Sequence, residues 1–329
     1  MKHSRRVIEV TAPSRLHFGL LSFGHTQGRR YGGAGVMVDQ PGLQLRIEAA
    51  ASFSTDGQFA SRVIEFVSRW TTFHRLAAPP SCRMIIKRAP RQHAGLGVGT
   101  QLGMSIAAGL YCFIGDPIPS PDELAMSVGR AKRSAIGTYG FAMGGLLAER
   151  GRHEREPVAP LDCQLDLPPS WHMVLACPQG EGLSGVDERN AFANQPPVPR
   201  PRTEQLKSIL RERMFPAAAR GNYGEFSKSV YEYGYLAGEC FAASQGGPYN
   251  GPLSTRIVDA IRERGVAGVG QSSWGPTIFA LVENAQEGNV LARHLRRQFK
   301  LSENEVWVSA INRNGASIQV FNDSRIAVM

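Results

Sequence analysis

His93-Ala94-Gly95-Leu96-Gly97-Val98-Gly99-Thr100-Gln101 joins two segments of different periodicity. Upstream, residues 83–87 read as a short strand; downstream, an apolar run from about 100 to 113 reads as a helix. Glycines in such a connection let the backbone come close to a ligand. The first amides of the following helix have no partner inside it, so they are free to face an anion. Taken alone, Gly-x-Gly-x-Gly also describes a plain tight loop.

Outward from this turn, strands and helices mix without regular alternation. Residues 7–11 form a strand that runs into Pro13-Ser14-Arg15-Leu16-His17-Phe18-Gly19, and residues 43–48 alternate apolar and polar as a half-buried strand does. Val63, Ile64, Val67, Trp70 and Phe73 recur at helical intervals over 60–77, before Pro79-Pro80. Pro121-Asp122-Glu123 opens a helix reaching about 131, and 144–150 resembles a strand. Charge and proline crowd 151–170, which puts a domain boundary there, with units 1–165 and 166–329. The second unit reads as strands near 172–177, 277–283, 305–310 and 315–321, with helices near 203–215, 222–243, 254–264 and 286–299. A long polar loop covers 180–202. The class is α+β.

Composition narrows the function. The 329 residues are 42% hydrophobic and 20% charged, ordinary for a globular protein able to bury a large core. No apolar run reaches about 18 residues, and the basic start Met1–Arg6 leads straight into a strand rather than a secretory segment. Five widely spaced cysteines without a Cys-x-x-Cys pair suit a reducing, cytoplasmic setting. The net charge of +9 is spread over scattered arginines. For most of them a solvated surface is the plain reading and a phosphate-rich substrate the sharper one, while no nucleic-acid-binding motif accompanies the charge.

Two further stations flank the central turn. Arg15 and His17 stand two residues apart at the end of a strand, so they share a face. Gly268-Val269-Gly270-Gln271-Ser272-Ser273-Trp274-Gly275-Pro276-Thr277 precedes a strand. Each alone is equally well a structural loop, a core histidine or a surface arginine.

In order and separation the three stations resemble the motifs of the GHMP kinase superfamily. Residues 90–97 keep most of its Pro-x3-Gly-Leu-Gly element with one extra residue, while Val98-Gly99 replace the paired serines. The aspartate usual in these kinases has no counterpart, since no carboxylate occurs between Glu123 and Glu149. The departures look like the β-ribofuranosylaminobenzene 5′-phosphate synthase branch. Ser14–Leu20, His93–Gln101, Arg133-Ser134-Ala135-Ile136-Gly137-Thr138 with Gly144-Gly145, and Gly270–Pro276 carry that resemblance, with Gly182-Leu183-Ser184-Gly185, Glu188 and Phe192 adding to it.

The resemblance implies a two-domain GHMP-kinase-like fold, with a ribosomal-protein-S5-like N-terminal α/β domain and a C-terminal α+β sandwich. It implies condensation of phosphoribosyl pyrophosphate with 4-hydroxybenzoate or 4-aminobenzoate, losing pyrophosphate and CO₂, for methanopterin-type carriers. Mg²⁺ is expected on the pyrophosphate, with Asp187 or Glu188 as an associated carboxylate. His17, His93 and Arg133 are the catalytic candidates, Arg15 and Arg133 offering planar forks for phosphate or carboxylate. Ser14, Gly95, Leu96, Gly97, Val98, Gly99, Thr100, Gln101, Ser134, Thr138, Gln271, Ser272 and Ser273 are the substrate- and phosphate-binding candidates. Trp274 is set against the aromatic ring, or else is core. No nucleic-acid or membrane partner is expected, and a homodimer is the assembly considered. The alternative is an ATP-dependent small-molecule kinase.

Overall fold

The computed structural model describes residues 5–179 and 195–323. Two sheets organise them. The first contains β1 (Arg5–Ser22), β2 (Tyr31–Ala49), β3 (Ser54–Thr55), β4 (Cys82–Arg88), β5 (Leu146–Glu149) and β6 (Leu161–Leu165). The second contains β7 (His172–Ala176), β8 (Val269–Gln271), β9 (Ile278–Val282) and β10 (Val306–Ala310), in the order β10-β7-β9-β8. The last strand, β11 (Ser317–Asp323), returns to pair antiparallel with β1. The first sheet therefore runs β11-β1-β2-β4-β3, with β5 and β6 continuing from the other half of β2. A boundary at 165/166 coincides with the end of β6, yet β11 crosses back over it.

Helices α1 (Ala60–Phe73), α2 (Val98–Ile114), α3 (Pro121–Ser127) and α4 (Ile136–Met143) belong to the first half. In the second half come α5 (Arg200–Ser208), a π-helical turn (Ile209–Met214), α6 (Phe215–Ala219), α7 (Tyr223–Glu239), α8 (Ala242–Gln245), α9 (Gly251–Glu263) and α10 (Ala285–Phe299). None of these is long and apolar enough to cross a membrane. The α+β class is thus as expected. Two helices stop early: α1 turns off through Arg75 (φ 54°), and α3 through Gly129 (φ 65°) and Ala131 (φ 60°). Residues 130–134 are thereby a loop rather than a helical end.

Alternation along β9 shows how the layers join. Ile278, Ala280 and Val282 pack with Ile257, Val258 and Ile261 of α9 and Leu291 and Leu295 of α10. Phe279 and Leu281, on the opposite face, enter the main core, as the two-residue period of a strand requires. The Phe279 ring lies 5.2 Å from that of Phe18 in β1. In the main core α2 is buried on nearly every side, which is why its apolar residues show no single stripe.

β1 places the site. Its register against β2 shifts between Ala12 and Ser14 and again between His17 and Gly19, and such bulges re-aim side chains. The three stations dock at this bent end. Arg15 N–H donates to Leu96 O (3.0 Å) and Ser273 N–H to His17 O (3.1 Å). Ser272 Oγ accepts from His17 N–H (3.0 Å) and donates to Gly95 O (2.7 Å). Thr277 Oγ1 donates to Ala94 O (2.6 Å). The backbones approach so closely that a Cβ on Gly275 would lie 2.2 Å from Gly95 N.

Two substitutions test this packing by denaturant unfolding. Phe279→Ala should cost about 3–5 kcal/mol, as for other buried aromatics. Gly275→Ala should cost about 1–3 kcal/mol through overpacking, whereas Gly224→Ala in α7, where a Cβ would meet only Asn222 Oδ1 at 3.9 Å, should show no such loss.

Candidate active site

Helix α2 begins on Gly97, whose left-handed backbone (φ 71°) turns the chain into the helix without a Cβ penalty. The first hydrogen bond of the turn runs from Thr100 N–H to Gly97 O (2.9 Å). The amides of Val98 and Gly99 precede it at the positive end of the helix. Residues 95–100 line a cleft of about 1210 Å³ between the two halves of the fold.

The wall of this cleft is cationic. Arg15, Arg30, Arg62, Arg69, Arg130, Lys132 and Arg133 all line it, and the only carboxylate among the described lining residues is Glu65. That carboxylate is already held by Arg62 (2.7 Å) and Arg69 (2.5 Å). Arg130 donates to Thr100 Oγ1 (3.1 Å), bringing a guanidinium to the head of α2. Gly97 sits against Arg15, whose Cβ and Nε lie 3.0 and 3.3 Å from the position a Cβ would take. The aromatic side chains of Phe23, Tyr31, Phe241 and Trp274 line the same cleft. Trp274 meets Phe241 edge to face at 4.8 Å, and Phe23 stacks on Phe241 at 4.5 Å.

The structure sorts the candidates. Arg15, His17, His93, Arg133, Ser134, Gln271, Ser273, Trp274 and residues 95–100 reach the cleft together. Four candidates do not line it. Ser14 Oγ donates to Pro41 O, away from the turn. Gln101 Nε2 donates to Gly137 O (2.8 Å), pinning α4 on α2, and Thr138 is fully buried in α4. Ser272 is fully buried and holds the loops from behind. Leu96 and Val98 are buried and so offer backbone rather than side chain. Gln271 accepts from Asn250 N–H (2.6 Å) and donates to Ser273 O (2.9 Å), which shapes the third loop. Asp187, Glu188, residues 182–185 and Phe192 lie outside the described residues.

His17 is not placed as a free base. Its Nδ1 accepts from Gly19 N–H (3.2 Å) and its Nε2 faces Ser134 Oγ (3.2 Å). Burial, reinforced by the Arg15 charge, pushes its pKa down to about 3, so the ring is neutral at ordinary pH. His93, by contrast, is an exposed rim residue in left-handed backbone (φ 59°). The sequence reading passed over Arg62, Arg69, Arg130 and Lys132. The cluster Arg130-Ala131-Lys132-Arg133 carried a signal for two of them; Arg62 and Arg69 look like the polar face of an amphipathic helix.

Known proteins resemble this chain in sequence and in fold. The GHMP kinases C-terminal family matches residues 214–301. A β-ribofuranosylphenol 5′-phosphate synthase of Methanothermobacter thermautotrophicus is 28% identical over 304 residues, covering 85% of this chain and 90% of that protein. One of Archaeoglobus fulgidus is 25% identical over 350 residues, covering 95% and 100%. A solved mevalonate pyrophosphate decarboxylase of Streptococcus pyogenes superposes with a TM-score of 0.67 at 12% identity, covering 94% and 98%, and shares the fold. The chain is thus similar in fold to solved GHMP-type enzymes, carries the GHMP kinases C-terminal family over residues 214–301, and is similar in sequence to β-ribofuranosylphenol 5′-phosphate synthases.

Proposed function

We propose that this chain is a cytoplasmic pentosyltransferase that joins the ribosyl carbon of phosphoribosyl pyrophosphate to a para-hydroxy- or para-aminobenzoate, with loss of pyrophosphate and CO₂. The product is a C-riboside 5′-phosphate for a methanopterin-type carrier. One observation carries the reading: a single cleft joins a glycine turn at a helix N-terminus, seven cationic side chains and an aromatic cluster. The relatives are named synthases of a ribofuranosylphenol phosphate, a product whose two halves match those two kinds of wall.

The chemistry follows from the wall. Breaking the C1′–oxygen bond sends an electron pair out with pyrophosphate and leaves an oxocarbenium-like ribose. Fixed positive groups aimed at the departing charge lower that barrier. Arg15 and the Val98 and Gly99 amides suit one phosphate group, and Arg130, Lys132 and Arg133 another. The ring carbon bearing the carboxylate then bonds to C1′, driven by its para donor. Cleavage of the ring–carboxylate bond returns the electron pair and restores aromaticity. Charge balances with no net proton, so no strong base is required. His17, neutral and engaged at both nitrogens, agrees with that; its part is to hold the wall. His93 at the rim is in place to meet solvent-facing substrate oxygens.

Mg²⁺ bound to the leaving pyrophosphate would neutralise its charge. Among the described residues no group of three or more His, Cys, Asp and Glu is placed to hold a metal. This donor set fits an ion that arrives on phosphate oxygens and keeps much of its water, with the Thr100 hydroxyl as the suited protein oxygen.

Carboxyl-labelled 4-hydroxybenzoate with phosphoribosyl pyrophosphate and Mg²⁺ should release labelled CO₂ and pyrophosphate in equal amounts. ATP-dependent phosphorylation of a small alcohol without CO₂ release would replace this reading with the kinase alternative. Arg15→Gln should raise KM for phosphoribosyl pyrophosphate roughly 10- to 100-fold, as expected when a charged hydrogen bond is lost. Unchanged KM would remove Arg15 from the phosphate site.

A further inference from the structure

Left-handed backbone is rare for residues that carry a side chain, and in this chain it gathers in one place. Six described residues other than glycine have positive φ: Tyr31, Arg75, His93, Ala131, Ser273 and Lys300. Arg75 and Lys300 stand where helices α1 and α10 end. The other four all line the cleft. Tyr31 is the extreme case, a bulky ring at φ 66°, a conformation that persists only where the surroundings enforce it.

The enforcing contacts lie on both sides of it. Arg30 and Arg152 exchange backbone N–H to O bonds of 2.9 Å each. Arg29 donates to Gly151 O (2.8 Å) and is locked to Glu156 (2.7 Å). Beyond Tyr31, Gly32 lies so close to the same loop that a Cβ there would sit 2.8 Å from Gly151 N. The chain is thus clamped before and after Tyr31, whose half-buried ring packs on the cluster of Phe23, Phe241 and Trp274. Glycine would take this backbone freely, so a tyrosine held there at a cost in stability points to a task for its ring.

Strand register measures where that ring stands. Met37 lies opposite Arg15 and Tyr31 opposite Ser22. At about 3.3 Å per residue, Tyr31 is therefore about 20 Å along the sheet from the arginine end, less what the bulges take up. The wall between them runs from Gly95, against Gly275, through Trp274 and Phe241 to Phe23.

We propose that Tyr31 is a specificity-determining residue of the acceptor end, its phenol oxygen receiving the hydrogen bond of the para hydroxyl or amino group. The assignment rests on the reaction proposed above. With phosphates held at Arg15 and the glycine turn, C1′ lies between the two ends. A benzoate that attacks it through the carboxylate-bearing carbon turns its para group toward Tyr31. A phenol oxygen can accept a hydrogen bond whatever its own proton does. As the ring carbon bonds to C1′, positive charge spreads to the para oxygen or nitrogen, and the hydrogen bond to Tyr31 tightens. The para proton stays in place, and loss of CO₂ returns the electron pair to the ring.

Calorimetry with pyrophosphate and Mg²⁺ present compares 4-hydroxybenzoate with benzoate, which lacks the para group. Tyr31→Phe should bind 4-hydroxybenzoate roughly tenfold more weakly than the native protein does, and benzoate equally well. Its kcat/KM for 4-hydroxybenzoate should fall roughly tenfold or more, while KM for phosphoribosyl pyrophosphate holds. Tyr31→Gly should melt above Tyr31→Ala, because both lose the ring and only alanine keeps the strain. Native affinity for 4-hydroxybenzoate in Tyr31→Phe, or an equal loss for benzoate, would overturn the proposal. An alanine variant melting as high as the glycine one would overturn it too. CO₂ release by the native protein, with Tyr31→Phe unaffected, sinks the subsite and keeps the reaction. Binding of 4-hydroxybenzoate that depends on Tyr31, without CO₂ release, sinks the reaction and keeps the subsite.

Discussion

A single hydroxyl sits where the three loops meet. Ser272 Oγ receives the His17 amide and gives its proton to Gly95 O, so strand β1, the glycine turn and the β8–β9 loop are fixed to one another through one atom. Each of these loops is short of partners by itself, because its backbone leaves the regular ladder to bend. Joined, they satisfy one another's polar groups inside the fold, where an unmet group would cost about 1–3 kcal/mol. The open face of the glycine turn is left free only because its rear face is so fully engaged.

That arrangement has an electrostatic result. Arginines from β1, α1 and the 130–133 loop are brought to one wall with a single engaged carboxylate among the described lining residues. Packed together they repel, and a polyanion that enters relieves the repulsion while filling the helix N-terminus. The aromatic cluster of Phe23, Phe241 and Trp274 gives the same cleft an apolar side. A wall of one kind would suit any polyphosphate; under the proposed function, the two kinds together suit a pair of substrates.

Much of this was legible in the sequence because periodicity changes where function sits. The strand-to-helix switch around Gly95–Gly99 marked the glycine turn at the head of α2, and the Arg15/His17 pair marked the strand end beside it. Other parts were hidden. Helix α4 contains two glycines and is buried on most of its surface, so packing, not propensity or an apolar stripe, makes it helical. β6 lies inside the charged, proline-rich stretch that read as a boundary, and pairing with β5 overrides that composition. Ser14, Gln101 and Thr138 carry hydrogen-bonding groups of the right type, but bulging and helix-on-helix packing turn them inward, which spacing alone does not encode. Glu149 closes a strand of four buried residues, and its tie to the Ala135 amide exists only in three dimensions.

The return of β11 to the edge of β1 has a consequence for the birth of the molecule. While the chain is emerging from the ribosome, β1 (Arg5–Ser22) is made well before its outer neighbour β11 (Ser317–Asp323). Until that neighbour arrives, β1 offers an unmatched row of amides and carbonyls, the kind of edge that invites pairing with another nascent chain. Maturation of the first sheet therefore waits for β11, although its other strands end by Leu165.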